Sequence, residues 1–434
     1  MQNIIKNIFY TTSRQVLTSL ISFALIVAIA RFYGPKGNGL FAILLLLPST
    51  LINILNFGIP SSNVYLIGKH RDLLAEIFVI NLKIVTIISC FGLVGGGLII
   101  ELFHGDLFPG IEYTLLWIAL ISFPIGLAQV LVNSIFHALE EFKYYNILLI
   151  LQPSILTLLI LFLFMAGFKD LIYLVGSQFI SVLVTFLISM VYIKPFIVNR
   201  RFKKNFLLKQ IINFGLKSHL SNLLTFLNYK IDIFLTNFFL GPVSVGVYII
   251  AVGISERLWI LSHSASTVIF PRLAKLSCSD PEYKFLTNSL SRIVIALTLF
   301  FSIFIFLIID FIINIFFGEE YLSASLAFSI LLPGIVFLSG SRILSNNIAA
   351  RGKPEVNLYI AGIIFFISIL GNLVFIPYFG IEGAALATSI TYFFHLIFTN
   401  FVYCKLSDCS FFNPLVVNFK DLHFIRQIIT QVNS

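Results

Sequence analysis

The chain has 434 residues, 59% of them hydrophobic and only 11% charged, with a mean hydropathy of +1.01. That composition excludes a soluble globular domain and leaves an all-α polytopic membrane protein. The net charge of +9 is read as membrane orientation rather than as a nucleic-acid surface, because the basic residues fall at one set of span ends.

Near the N-terminus Lys6 and Arg14 precede an apolar run ending in Ala28-Ile29-Ala30, which imitates a secretory signal. The run leads straight into a second span, so it is read as an uncleaved first helix. Hydropathy and helix breakers then predict about twelve spans, over 11–33, 39–66, 74–103, 110–138, 144–167, 170–195, 209–240, 243–271, 285–317, 321–349, 356–378 and 381–405. Pro48, Pro60, Pro124, Pro153 and Pro333 fall in or near spans and are expected to kink them. With the N-terminus inside, twenty Lys and Arg lie in inner segments and only Arg31, Lys36 and Lys169 in outer ones, so both termini are expected in the cytoplasm. Cys90, Cys278, Cys404 and Cys409 have no metal-like spacing and are read as small hydrophobes.

A basic connector, 194–209, divides the chain into an N-terminal six-helix lobe (1–199) and a C-terminal one (200–406), followed by a tail, 407–434, that is either an amphipathic surface helix or disordered. The lobes carry traces of duplication. Gly34-Pro35, Gly39 and Phe41 match Gly241-Pro242, Gly246 and Tyr248 at an offset of 207, and Lys143 with Asn146 corresponds loosely to Lys353 with Asn357. Six spans per lobe give both lobes one orientation, so the pseudo-two-fold axis is expected along the membrane normal, with a path between the lobes.

The stretch from Phe226 to Trp259 carries charge where a span should have none. Counted from the Gly241-Pro242 turn, Lys230 and Asp232 lie roughly 16 and 13 Å deep, and Glu256 and Arg257 also fall near mid-span. One such charge costs about 2.5–3.5 kcal/mol at a helix centre. The four therefore face a wet cavity or form an ion pair that locks two helices together. Lys83 and Arg342 are placed deep by the same counting. Four deep cations against two anions suit an anionic cargo, particularly a phosphate. Asp232 and Glu256 are the candidates for ion coupling or a cavity ion pair, and Arg14 and Lys217 for the inner mouth, where a snorkelling lysine or a topology signal is the plainer explanation. His219, His263 and His395 are more simply packed histidines than proton relays, and Tyr229 and Tyr248 are candidates for a sugar path.

Several motifs in order resemble a known family. Ala30-Arg31-Phe32-Tyr33-Gly34-Pro35 with Gly39, Phe142-Lys143-Tyr144-Tyr145-Asn146, Asn228-Tyr229-Lys230-Ile231-Asp232 with Gly246-Val247-Tyr248, Phe270-Pro271-Arg272-Leu273 and Gly380-Ile381-Glu382-Gly383-Ala384-Ala385 are similar to those of the multidrug/oligosaccharidyl-lipid/polysaccharide exporters, and most of all to Wzx-type O-antigen and capsule flippases. The resemblance implies a two-lobed twelve-helix transporter of a bacterial inner membrane. It would move undecaprenyl-diphosphate-linked oligosaccharide repeat units to the outer leaflet by alternating access, driven by a proton or sodium gradient and without a cofactor. Its partners would be membrane lipids and other polysaccharide-assembly proteins. The resemblance maps cavity charge onto Lys230 and Asp232; Arg257, Lys83 and Arg342 rest on depth alone. Two other classes stay open. A drug or metabolite cation antiporter would need an acidic cavity, and a membrane glycan polymerase would need outer catalytic carboxylates, for which Glu319-Glu320 is the one paired candidate.

Overall fold

The computed structural model describes residues 2–197, 208–260, 262–263, 281–418 and 421. Most of the connector 194–209, the Phe270-Pro271-Arg272-Leu273 motif and the end of the tail lie outside these residues. The described chain is helical throughout: α1 (Gln2–Leu55), α2 (Ile59–Lys69), α3 (Leu74–Leu107), α4 (Tyr113–Ala138), α5 (Phe142–Met165), α6 (Leu171–Ile197), α7 (Leu208–Asn228), α8 (Ile231–Arg257), α9 (Pro281–Phe316), α10 (Ala324–Ala350) and α11 (Pro354–Ser407). In lipid every backbone N–H and C=O must be satisfied within its own segment, and a helix does that.

Nine apolar runs among the described residues are long enough to cross a membrane. Three are too long for one crossing, which takes about 20 residues: Ser13–Leu55, His219–Arg257 and Pro354–Ser407 have 43, 39 and 54 residues. Each is interrupted at a glycine with positive φ, at Gly34 (63°), Gly241 (76°) and Gly380 (62°). At Gly380 the chain folds back on itself: a Cβ built on Gly371 would lie 3.3 Å from the Cβ of Ala387, whereas sixteen residues of straight helix span about 24 Å. In α1 the legs meet where Ala28 and Ile29 pack with Phe41, Leu156, Ile160 and Leu174. Nine runs with three reversals make twelve crossings, as the sequence predicts.

Two breaks differ from the sequence prediction. The second crossing is not one helix over 39–66; it stops at Leu55 and resumes at Ile59. Asn56 Oδ1 accepts the Gly58 amide at 2.8 Å, and Phe57 and Gly58 take positive φ, so a local Asn turn outcompetes the helix. Nor is 209–240 continuous: α7 ends at Asn228 and α8 begins at Ile231, with Lys230 as its N-terminal flanking residue at φ −126°.

The chain separates into two compact units, one comprising Met1–Phe226 with Thr236–Ile249, the other Leu227–Leu235 with Ile250–Ser434. Lipid tails are as apolar as leucine, so packing and buried hydrogen bonds hold such helices together. In the first unit Asn63 donates to Ser134 Oγ at 2.8 Å, Ser62 Oγ to the Ile211 carbonyl at 2.6 Å, and His219 Nε2 to the Ile54 carbonyl at 2.9 Å. Tyr248 is fully buried there. In the second unit Leu344, Ile348, Leu396, Tyr403 and Cys404 form a cluster that also takes up Cys409 and Leu415 from beyond α11. The start of the tail is therefore packed. Arg292 of α9 grips Asp421 with Nε at 2.7 Å and Nη2 at 2.6 Å, both side chains being buried.

Candidate functional site

The break between α7 and α8 presents Tyr229 and Lys230 at the start of α8 and puts Asp232 in its first turn. Free amides and the positive end of the helix dipole favour a carboxylate there. Asp232 is 5% exposed. Its Oδ1 accepts the Ile233 amide at 2.8 Å, and its Oδ2 lies 3.5 Å from Thr388 Oγ1, at the limit of a hydrogen bond. One leg of α11 thus meets the broken helix at this carboxylate.

Arg342 of α10 enters the same region. Its guanidinium carbon sits 4.2 Å from the centroid of Trp259 and 5.8 Å from that of Tyr229, and its Nη2 donates to the Tyr229 hydroxyl at 3.0 Å. Tyr229 and Trp259 are 5.1 Å apart between centroids, and Trp259 and Tyr392 6.5 Å. Among the described residues no carboxylate lies within ion-pair distance of Arg342, and its Nη1 is buried with no hydrogen-bond partner, as is Trp259 Nε1. Two aromatic faces therefore hold this cation, leaving one arm of the fork unused. Lys230 Nζ likewise makes no hydrogen bond or ion pair among the described residues. The unpartnered N–H groups of Arg342 and Lys230 can donate to an oxyanion.

Glu256 lies in the same field. Lys230, Asp232, Arg342 and Arg257 are the charged groups around it. Arg257 turns back along α8 and donates from Nη1 to the Gly253 carbonyl. Ser341 Oγ and His395 Nδ1 are 3.1 Å apart beside Arg342. Lys230, Asp232, Glu256, Arg257 and Arg342 thus form one cluster, wholly within the second unit.

The other sequence candidates stand elsewhere. Lys83 is exposed on α3 in the first unit, flanked by the buried Asn81 and Ile84. Arg14 is half-buried near Tyr145, which stacks on His137 at 5.1 Å, and Arg14 Nε has no partner. The side chain of Lys217 lies outside the described residues. His219, bonded to the Ile54 carbonyl, is a packing histidine.

Sequence reasoning missed Trp259, Tyr392 and Thr388. Trp259 left a faint signal, being one of two tryptophans and lying two residues after Arg257. Thr388 and Tyr392 left none, because they reach the site only through the fold of α11.

The family described as Polysaccharide biosynthesis protein matches residues 4–277. The capsular polysaccharide biosynthesis protein CapF of Staphylococcus aureus is 24% identical over 416 residues, covering 93% of this chain and all of CapF. Among solved structures the lipid II flippase MurJ superposes with a TM-score of 0.75 at 16% identity, covering 92% of this chain and 90% of MurJ. A multidrug resistance MATE transporter of the MOP superfamily in an inward-facing conformation gives 0.72 at 16% identity, covering 91% and 96%. These structures share a two-lobed, twelve-helix fold, and this chain has it. The chain belongs to the polysaccharide biosynthesis protein family, and within it is a multi-pass membrane transporter rather than an enzyme.

Proposed function

We propose that this transporter is a flippase for polyprenyl-diphosphate-linked oligosaccharide repeat units, moving them from the cytoplasmic to the outer leaflet of a bacterial inner membrane. Both termini lie in the cytoplasm, in line with the excess of inner Lys and Arg. The observation that carries the cargo assignment is Arg342, a guanidinium held by Trp259 and Tyr229 with no carboxylate at ion-pair distance among the described residues. Uncompensated charge inside a span is retained where it binds something. Lys230 and Arg342 receive the diphosphate, Tyr229 and Trp259 flank the first sugars, and the prenyl tail stays in lipid. The family match and the likeness to CapF support a glycan cargo.

Asp232 couples the cycle to a proton or sodium gradient. Its carboxylate holds an amide and faces a hydroxyl at a helix break, and Glu256 shares the field of Lys230. No cofactor takes part.

The test is lipid extraction and mass spectrometry on cells depleted of the protein. A polyprenyl-diphosphate oligosaccharide carrying one complete repeat unit should accumulate with its head group inaccessible from outside, and surface glycan should fall. Unchanged lipid intermediates together with new sensitivity to cationic drugs would replace this reading with the cation antiporter.

A further inference from the structure

Two copies of the repeated Gly-Pro stretch touch each other inside the first unit. A Cβ on Gly39 would lie 1.7 Å from the Pro242 carbonyl oxygen and 2.8 Å from the Gly246 nitrogen. A Cβ on Gly246 would lie 1.8 Å from the Pro35 carbonyl oxygen and 2.9 Å from the Gly39 nitrogen. Gly39 and Gly246 are the residues offset by 207 in the two stretches, as are Pro35 and Pro242. The two contacts are therefore one contact seen from either copy, the self-complementary pattern of a two-fold interface. No alanine fits at either position unless α1 and α8 separate, because the obstructing atoms are backbone.

One element breaks the symmetry. Asn38 is 3% exposed, and its Nδ2 donates to the Gly246 carbonyl at 2.9 Å. The residue 207 further on is Val245, which cannot donate. Two glycine approaches and one directional hydrogen bond bring the backbones together at this junction. Such backbone contacts are individually weak. Each copy also has its own pivot close by. Gly34 and Gly241 turn at φ 63° and 76°, and a Cβ on Gly241 would meet nothing within 4 Å. In each copy the glycine turn precedes the close approach by five residues.

Gly34 follows the first crossing and Gly241 the seventh, so both turns lie at the membrane face opposite the N-terminus. We propose that the Gly39–Gly246 clasp is a gate at that face, shut in this structure, which parts each time cargo leaves on that side. The proposal rests on the transport reading: a polar head group cannot pass a point where two backbones touch. A single added methyl group at either glycine holds the gate open.

Cysteine reactivity tests it on the full-length protein in cells, with Cys90, Cys278, Cys404 and Cys409 replaced by alanine and Val245→Cys as reporter. The probe is a membrane-impermeant maleimide added from outside. Gly246→Ala is expected to raise the labelling rate by about tenfold or more, as a shift from a mostly closed to a mostly open population requires. In the otherwise unaltered chain, Gly39→Ala and Gly246→Ala are each expected to cut glycan export at normal protein abundance. The double variant is expected to be no worse than either single one, since both break the same contact. Unchanged labelling in a chain present at normal level, or full export by both glycine variants, overturns the gate. Should Gly246→Ala fail to accumulate, Asn38→Ala with Val245→Cys as reporter removes the hydrogen bond without adding bulk; labelling no faster than with Asn38 intact overturns it equally. Failure of the transport reading is read separately, in the lipid intermediates of depleted cells, and leaves the labelling result standing.

Discussion

Arg342 shows at the scale of one residue how a charge is kept usable inside a span. A carboxylate in direct contact would neutralise it; Trp259 and Tyr229 hold it instead, and the nearest charges of its cluster stand beyond ion-pair distance among the described residues. A hydrogen bond from this charged fork to a cargo phosphate is worth about 2 kcal/mol, which corresponds to roughly thirtyfold in a rate or affinity. Arg342→Ala should lower repeat-unit export by about that factor, measured as surface glycan per folded protein. Arg342→Lys should recover little of it, because an ammonium cannot lie flat on Trp259 while bonding the Tyr229 hydroxyl. Wild-type export by Arg342→Ala would remove the cation from the cargo site. Asp421 is the opposite case, a charge retired by its partner. Burial alone pushes its carboxyl up, but the Arg292 fork, the Asn418 amide and Ser289 outweigh that and hold it below the usual carboxylate range. A depressed pKa stabilises the fold above the unfolded value of about 3.9 and loses that contribution as pH falls through the lower folded value. Attachment of the tail should thus be insensitive between neutral pH and mild acid and be lost only in stronger acid. Asp421→Ala should destabilise the second unit by about 3–5 kcal/mol, read as detergent-phase thermal unfolding and as earlier proteolysis of the tail.

At the scale of the element, the glycines of the repeated stretch do two separable things. Gly241 stands at φ 76°, ψ −179°, a region open essentially to glycine, with empty space where a Cβ would go. Gly241→Ala should cost about 1–3 kcal/mol of stability through backbone strain alone. Gly246 has helical backbone and a carbonyl in the way, so Gly246→Ala should act on the junction with α1 rather than on the turn. Thermal unfolding and cysteine reactivity measured on the same pair of variants separate the two; if the two glycines gave one identical phenotype, turn and seal would not be distinct. The broken element α7–α8 matters in another way. By ending at Asn228 and restarting at Ile231 it converts Lys230 from a mid-helix lysine into the flank of a helix N-terminus and lends Asp232 free amides. Asp232→Asn keeps the shape and removes the charge. It should abolish gradient-driven export while leaving cargo binding in place, and export that still follows the gradient in this variant would rule out Asp232 as the coupling group.

At the scale of the whole molecule, twelve crossings predict that Asp408, after the last, lies on the side from which the first crossing starts. Reporter fusions check this directly: a periplasm-dependent enzyme should be active when fused after Gly318, which follows the ninth crossing, and silent when fused after Asp408.

Sequence alone determined the class, the number of crossings, the glycine hairpins and the family, because each is written in local terms: hydropathy over about 20 residues, a residue tolerant of positive φ, and motifs in a fixed order. It also marked Lys230, Asp232, Glu256, Arg257 and Arg342, since charge in an apolar run is visible without a fold. Only the tertiary structure decided which of these charges are spent and which are available. Arg257 turns onto its own helix, Lys83 stands in the other unit, and Arg342 is held by aromatics. It alone brought in Trp259, Thr388 and Tyr392 and broke the helix at Lys230. It alone showed that the repeated glycines meet. The physical reason is common to all of these: the contacts join residues up to about two hundred positions apart, and no local periodicity encodes a partner at that distance.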